Sequence, residues 1–219
     1  MAALILGCGP AVTSTEWRKL ASASGSGAVE IPATPGRSDI DPLIKALTSG
    51  NVVVHGSDAD LAAVVLRLLR LDRLDVPVGY VPVSASSAAA RVWGLPGDRV
   101  GAALDGSVET VPLVRDDAGG VLLGLGVLAP VHGTVLCDDA VPLRGSAERV
   151  EVTPDPGPGV AVTVVRRALL RRRSSRLTGR AVQFGGEQPV TPVRDGVPYP
   201  RPMNRWTWYR HTEDLRIVR

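Results

Sequence analysis

Aromatic side chains are scarce, 4% of 219 residues with a single Phe, so any core must be built from Val, Leu and Ala. Cysteine is nearly absent. Only Cys8 and Cys137 occur, which excludes a disulfide scaffold, and neither has a CxxC partner or an adjacent His to support thiol chemistry. Long hydrophobic runs are missing too. The longest, Val121 to Val131, falls far short of the roughly 20 residues of a membrane span. The opening MAALILGC invites a lipoprotein reading, because a small residue precedes Cys8. A secretory signal, however, needs a basic n-region and a longer apolar stretch. Ala2–Leu6 reads better as a buried first strand, and the expected location is the cytoplasm, with both thiols reduced. Lysine is limited to Lys19 and Lys45; every other basic residue is arginine.

The rest of the composition is globular: 44% hydrophobic and 21% charged. This length buries a core without staples and accommodates one large domain or two small ones. Charge is uneven. Residues 1–97 carry eight basic and eight acidic side chains, the remainder 17 and 14, which gives the net +3. From Arg166 to Arg180 there are seven arginines and no acid. Arg166, Arg167, Arg171, Arg172 and Arg173 form the densest part. Such a patch raises the local concentration of anions, lipid headgroups and phosphates among them. It is equally the composition of a solvated face.

Up to Pro96, strand and helix signals alternate. Val29–Ile31 reads as a strand. Thr13 or Ser14 caps a helix through Leu20. Asp39 and Asp41, with Pro42 in the first turn, open another that ends near Gly50. Asn51–Val54 reads as a strand buried on both faces. Leu61, Val64, Val65, Leu68 and Leu69 follow helical spacing, with Arg67 and Arg70 off the stripe. Val78–Val83 is the next strand and Ser86–Trp93 the next helix. Repeated β–α units predict a doubly wound parallel sheet with helices on both faces. After Pro96, short Val-rich runs between Gly, Pro and Asp turns predict an antiparallel β-sandwich. The expected division is an α/β domain over 1–96 and a β-rich domain over 97–219, whose last strands are free to return to the first domain. The Arg-rich stretch around Ala168–Leu170 reads as a strand extension, a hairpin or one short helix.

In a doubly wound sheet, ligands sit beyond the carboxyl ends of the strands, and two loops qualify. The first is Gly56-Ser57-Asp58-Ala59-Asp60, at the start of the strongest helix. Its amides suit a phosphate, and Asp58 suits magnesium or a hydroxyl proton. Helix capping by Asp58 or Asp60 explains the same residues. The second is Pro82 to Ala88, whose serine hydroxyls and amides suit an anion, while capping of the next helix by Ser84 or Ser86 explains the same residues.

The order VVVHGSDADLAAVVLRLL, then VPVGYVPVSASSAAARVWGLP, resembles the diacylglycerol-kinase-like lipid kinases. That family has Gly-Gly-Asp-Gly-Thr after a buried strand, then Pro-x-Gly-Thr-Gly-Asn-Asp-x-Ala-Arg and Leu-Gly-Ile-Pro. Gly56 and Asp58 match the first motif. Pro82, Ala90, Arg91, Gly94 and Pro96 match the second. Near the end, Asp195-Gly196-Val197 resembles the family's Asp-Gly-Glu, without the glutamate. By order and spacing the resemblance covers most of the chain. It implies a nucleotide-binding-like α/β domain, a C-terminal β domain and a cleft between them where ATP and magnesium phosphorylate a lipid hydroxyl. On that reading Asp58 and Asp195 are catalytic, Asp58 also holds the metal, and Gly56, Ser57, Ser84, Ser86 and Ser87 face the nucleotide. The arginine segment would meet an anionic membrane surface.

The departures concentrate in the phosphate pattern. Ser57, Ala59 and Asp60 replace two glycines and the threonine, and residues 84–88 replace the Gly-Thr-Gly-Asn-Asp core. Glycine permits close backbone approach to an anion. Asp60 is expected to bring a negative charge toward a triphosphate, at about 4 kcal/mol for 4 Å and an effective dielectric near 20. The alternative to a lipid kinase is therefore a catalytically inactive family member that binds nucleotide, lipid or a partner, with no cofactor needed. Gly7-Cys8-Gly9 lacks the third glycine of a dinucleotide fingerprint and reads as a tight turn. His55, His132 and His211 are too scattered for a metal site, and His55 reads as a satisfied, partly buried histidine. Alternating Trp and Tyr in Arg205–Arg210 fits strand packing. No motif supports specific nucleic-acid binding. Edge strands of the β domain are a candidate route to a homodimer.

Overall fold

A computed structural model describes residues 3–23, 27–168 and 171–219, with the side chains of Ala168, Arg171 and Arg172 outside the description. Leu170 and its neighbour at 169, at the centre of the arginine-rich stretch, also lie outside it. The chain divides into two units, Met1–Val111 with Glu213–Arg219, and Pro112–Thr212.

The first unit is built on strands β1 (Ala3–Cys8), β2 (Ala28–Ile31), β3 (Asn51–Gly56), β4 (Val78–Pro82), β5 (Val108–Val111) and the last strand of the chain, β18 (Leu215–Val218). They form one sheet in the order β2-β1-β3-β4-β18-β5. All neighbours run parallel except β18 and β5. Helices α1 (Thr15–Ala23), α2 (Arg37–Ala46), α3 (Asp58–Arg70), α4 (Ala88–Val92) and α5 (Arg99–Asp105) connect them. Every residue of β3 and β4 is buried, which requires cover on both faces. On one face Ile5, Val53 and Val81 pack with Trp17 and Leu20 of α1 and Ala103 of α5. The amphipathic stripe of α3 buries Leu61, Val64, Val65 and Leu68. A bidentate pair from Arg67 of α3 to Asp41 of α2 (2.7 and 2.9 Å) joins these two helices.

The division differs from a boundary at residue 96. A seven-residue helix and an edge strand, α5 and β5, still belong to the first unit. The helix escapes sequence detection because it is short and carries Gly101. Asp98 caps it, accepting from the Gly101 amide at 3.0 Å.

The second unit is all antiparallel. One sheet contains β6 (Val114–Asp116), β7 (Val121–Leu122), β9 (Val131–Cys137), β10 (Ala140–Ala147), β14 (Ala181–Val190) and β17 (Met203–Arg210), in the order β10-β9-β14-β17-β6-β7. The other contains β8 (Gly126–Leu128), β11 (Arg149–Asp155), β12 (Gly159–Ala168), β13 (Arg171–Gly179), β15 (Val193–Arg194) and β16 (Val197–Pro198), in the order β13-β12-β11-β8-β15-β16. Alternate residues of both sheets, Val135, Val152, Val162 and Val182 among them, share one core with Trp206 and Trp208. The Trp–Tyr alternation of β17 is thus strand packing, with both indoles turned inward. Among the described residues no helix is long and apolar enough to cross a membrane.

Candidate functional site

β3 and β4 are adjacent and parallel, so their carboxyl ends present the first and second loops side by side. The Val83 amide continues the ladder by donating to the Gly56 carbonyl at 3.0 Å.

Asp58 opens α3 and spans this gap. Its Oδ1 accepts from the Tyr80 hydroxyl (2.8 Å) and the Ser87 hydroxyl (2.5 Å). Its Oδ2 accepts from the Ala88 and Ala89 amides (2.8 and 3.3 Å). A carboxylate has about four acceptor directions, and here four donors use them. The group that caps α4 is therefore on α3. Ser87 completes that cap by accepting from the Ala90 amide at 2.9 Å. Burial, and then the Asp58 charge, push the Tyr80 phenol well above its ordinary pKa, so Tyr80 remains a donor at any working pH.

Asp60 does not point toward an anion above the loop. It is buried, and its Oδ2 accepts from the Ser57 amide and hydroxyl at 2.8 and 2.7 Å. Oδ1 accepts from the Thr34 amide at 2.6 Å. The expected repulsion of a triphosphate by Asp60 is corrected accordingly: the carboxylate is turned inward, tying the loop after β2 to the start of α3. Ser57 is the N-cap of α3 in a capping box with Asp60. Gly56 owes its lack of a Cβ to this knot, since a Cβ there would lie 2.7 Å from Asp60 Oδ2. In the second loop, Ser84 and Ser86 are exposed and bonded to each other at 2.8 Å. His55, fully buried, bonds the Val81 carbonyl through Nδ1 and Ser14 through Nε2, both at 2.7 Å. Because a carbonyl only accepts, Nδ1 carries a proton.

Asp195 lies in the second unit, in the two-residue turn between β15 and β16. Asp195 and Gly196 have φ of +46° and +87°, the Asp-Gly signature of a tight hairpin. The Asp195 carboxylate is buried and accepts from three consecutive amides, Leu123, Gly124 and Leu125, at 2.9, 2.8 and 2.9 Å. It organises the connection between β7 and β8. Asp58 and Asp195 are thus each engaged within their own unit. Burial pushes the Cys8 thiol up to about 12 and raises Cys137 as well, so neither is a reactive thiolate.

In the arginine segment the β12–β13 register sets Arg166 opposite Arg173, Arg167 opposite Arg172, and Ala168 opposite Arg171. Arg167 and Arg173 are exposed. Arg166 donates to the Pro142 carbonyl at 2.8 Å.

The bonding partners of Asp58 and Asp60 escaped sequence reasoning. Tyr80, Ser87 and Thr34 lie 22 to 29 positions away, and only the pairing of β3 with β4 brings the first two within reach. The one local signal was the Ser57-x-x-Asp60 spacing of a cap.

No family model matches this sequence, and no curated protein matches it. Solved structures do. A diacylglycerol kinase from Bacillus anthracis str. Sterne superposes with a TM-score of 0.67 at 12% identity, covering 99% of this chain and 96% of that one. An NAD kinase from Archaeoglobus fulgidus, in complex with ATP, superposes with a TM-score of 0.58 at 12% identity, covering 100% and 94%. The α/β unit with its returning strand and the β-sandwich inserted into it are therefore the fold of the diacylglycerol kinases and of NAD kinase, kept here with little of their sequence.

Proposed function

We propose that this chain is a non-phosphorylating member of the diacylglycerol-kinase fold, a binding module that docks on an anionic lipid surface through the β12–β13 hairpin. The observation that carries the reading is the saturation of Asp58. A magnesium ion needs a free carboxylate oxygen, and a general base needs a lone pair aimed at the acceptor hydroxyl. Asp58 offers neither without surrendering two hydroxyls and the cap of α4. Ala88 and Ala89, amides suited to a phosphate, are already turned to a carboxylate of the chain itself. ATP and magnesium therefore do not fit the residues present.

The hairpin supports the docking half. Like charges directly opposite on paired strands are destabilising, and the facing Arg166–Arg173 pair gains from a surface that supplies the missing negative charge. Arg173 and Arg167 are well exposed for it. Several such contacts are each worth about 1 kcal/mol near an anionic leaflet.

The test is calorimetry with Mg-ATP on the intact protein, run beside sedimentation with phosphatidylglycerol and phosphatidylcholine vesicles. We expect no ATP heat at millimolar ATP, and binding to the anionic vesicles alone that disappears at high salt, where the screening length falls to about 3 Å at 1 M. Micromolar Mg-ATP binding that Asp58→Ala abolishes would overturn this reading in favour of the ATP-dependent lipid kinase. Vesicle binding indifferent to salt would remove the hairpin from the reading.

A further inference from the structure

At one end of the sheet that holds β9, β10 and β14, the second unit has a cleft of about 440 Å³, within the approximate 300–1,000 Å³ range of small-molecule sites. It exists because β14 slips against β17. Gly185 pairs with Arg205, but the next pair is Val190 with Met203, so β14 advances five residues while β17 advances two. Of the surplus residues, Gln188 and Pro189 line the cleft, joined by Thr191 just beyond the resumed pairing. The cross-strand pair His132 and Ser146 lines it as well, joined through Nδ1 at 2.9 Å. The next rung has no side chains at all, since Gly133 pairs with Gly145 on one side and Gly186 on the other. Gly133 is required there, because a Cβ would lie 2.2 Å from the Gly185 carbonyl oxygen. Val131 and Val190 supply apolar surface to the same cleft.

The chemistry of this lining is specific. No Asp, Glu, Lys or Arg lines it, so a charged ligand finds no carboxylate, ammonium or guanidinium there to pair with. The two hydroxyls and the amide each both donate and accept. They stand beside aliphatic side chains and two proline rings. That combination matches a ligand with a hydroxyl rim and a C–H face.

We propose that this cleft binds an uncharged hydroxyl-bearing small molecule, a sugar or cyclic polyol, through Gln188, Thr191 and the His132–Ser146 pair. The site shares no residue with the arginine-rich hairpin or with the loops after β3 and β4.

Amide NMR on the full chain tests this, with methyl β-glucoside and myo-inositol as probes and glucuronate and inositol monophosphate as charged counterparts. Saturable shifts confined to residues 129–132, 146–147 and 188–191 are expected for at least one uncharged probe, with weaker binding of its charged partner. Gln188→Ala and Thr191→Val, both on the cleft wall and outside the core, should each weaken that binding about tenfold with an unchanged spectrum elsewhere. The absence of saturable shifts with both uncharged probes, a preference for the charged ones, or binding that neither substitution alters would overturn the assignment.

Discussion

Asp58 holds more of the structure than its place at the start of α3 suggests. As a helix cap alone its removal would cost about 1 kcal/mol. The structure adds the Ser87 hydroxyl and two amides of α4, left without this acceptor in Asp58→Ala, while the Tyr80 hydroxyl falls back on the Gly56 carbonyl at 3.2 Å. Several unsatisfied groups at roughly 1–3 kcal/mol each, partly relieved by water, raise the expected loss to about 3 kcal/mol. Asp58→Asn should fall between, since its amide nitrogen cannot accept from Ala88 and Ala89. Urea unfolding of the three proteins measures this, and a loss in Asp58→Ala no larger than that of a simple cap would show that the network adds nothing. The sequence made this residue visible and left its role open. Gly56 teaches the same lesson. A glycine in this motif reads as room for a phosphate, yet the room is filled by Asp60. Both motif positions were legible; the partners that decide their meaning arrive only when β3 and β4 pair.

Among the elements, those with strong periodicity were legible and those without it were not. The stripe of α3 and the apolar runs of β3 and β4 specify a buried parallel sheet directly. The helix α5 is seven residues long with no stripe to find, and β5 is exposed along most of its length, so both were absorbed into the β-rich half. The β-sandwich was readable from turn spacing. Its pairing order was not, because β14, β17 and β6 come together from distant parts of the chain. The contact between α2 and α3 has a consequence in acid. The guanidinium of Arg67 holds the Asp41 carboxyl below its usual pKa. Asp41 therefore contributes stability that is fully present above its unfolded value, near 3.9, and is lost as pH falls through the lower folded one. Unfolding midpoints measured from pH 5 down to about pH 2 should fall less steeply for Asp41→Asn than for the parent protein. Equal slopes would assign the acid limb elsewhere.

For the whole molecule, the first unit is discontinuous. Its sheet is completed by β18, which sits between β4 and β5 and buries Leu215, Ile217 and Val218. Three such side chains are worth about 1.5–3 kcal/mol each, against a typical total of about 5–15 kcal/mol. Deleting residues 213–219 should therefore unfold the first unit and leave the second, which has its own core. Limited proteolysis of the shortened chain should leave a resistant fragment close to 112–212. Degradation of both units together would show that the sandwich depends on the first unit. Two domains were legible in the change of pattern after Pro96. The true crossing at residue 111 was not, since nothing local marks β5 as a partner for a strand about a hundred residues later.

That arrangement also sets an order of events during synthesis. The ribosome releases β1 to β4 early, but the strand that must lie against β4 emerges only after the sandwich. While the whole sandwich is being made, β4 has an unpaired edge and the first unit cannot close. The sandwich, continuous in the chain, is free to fold first, and the earlier half of the protein matures last.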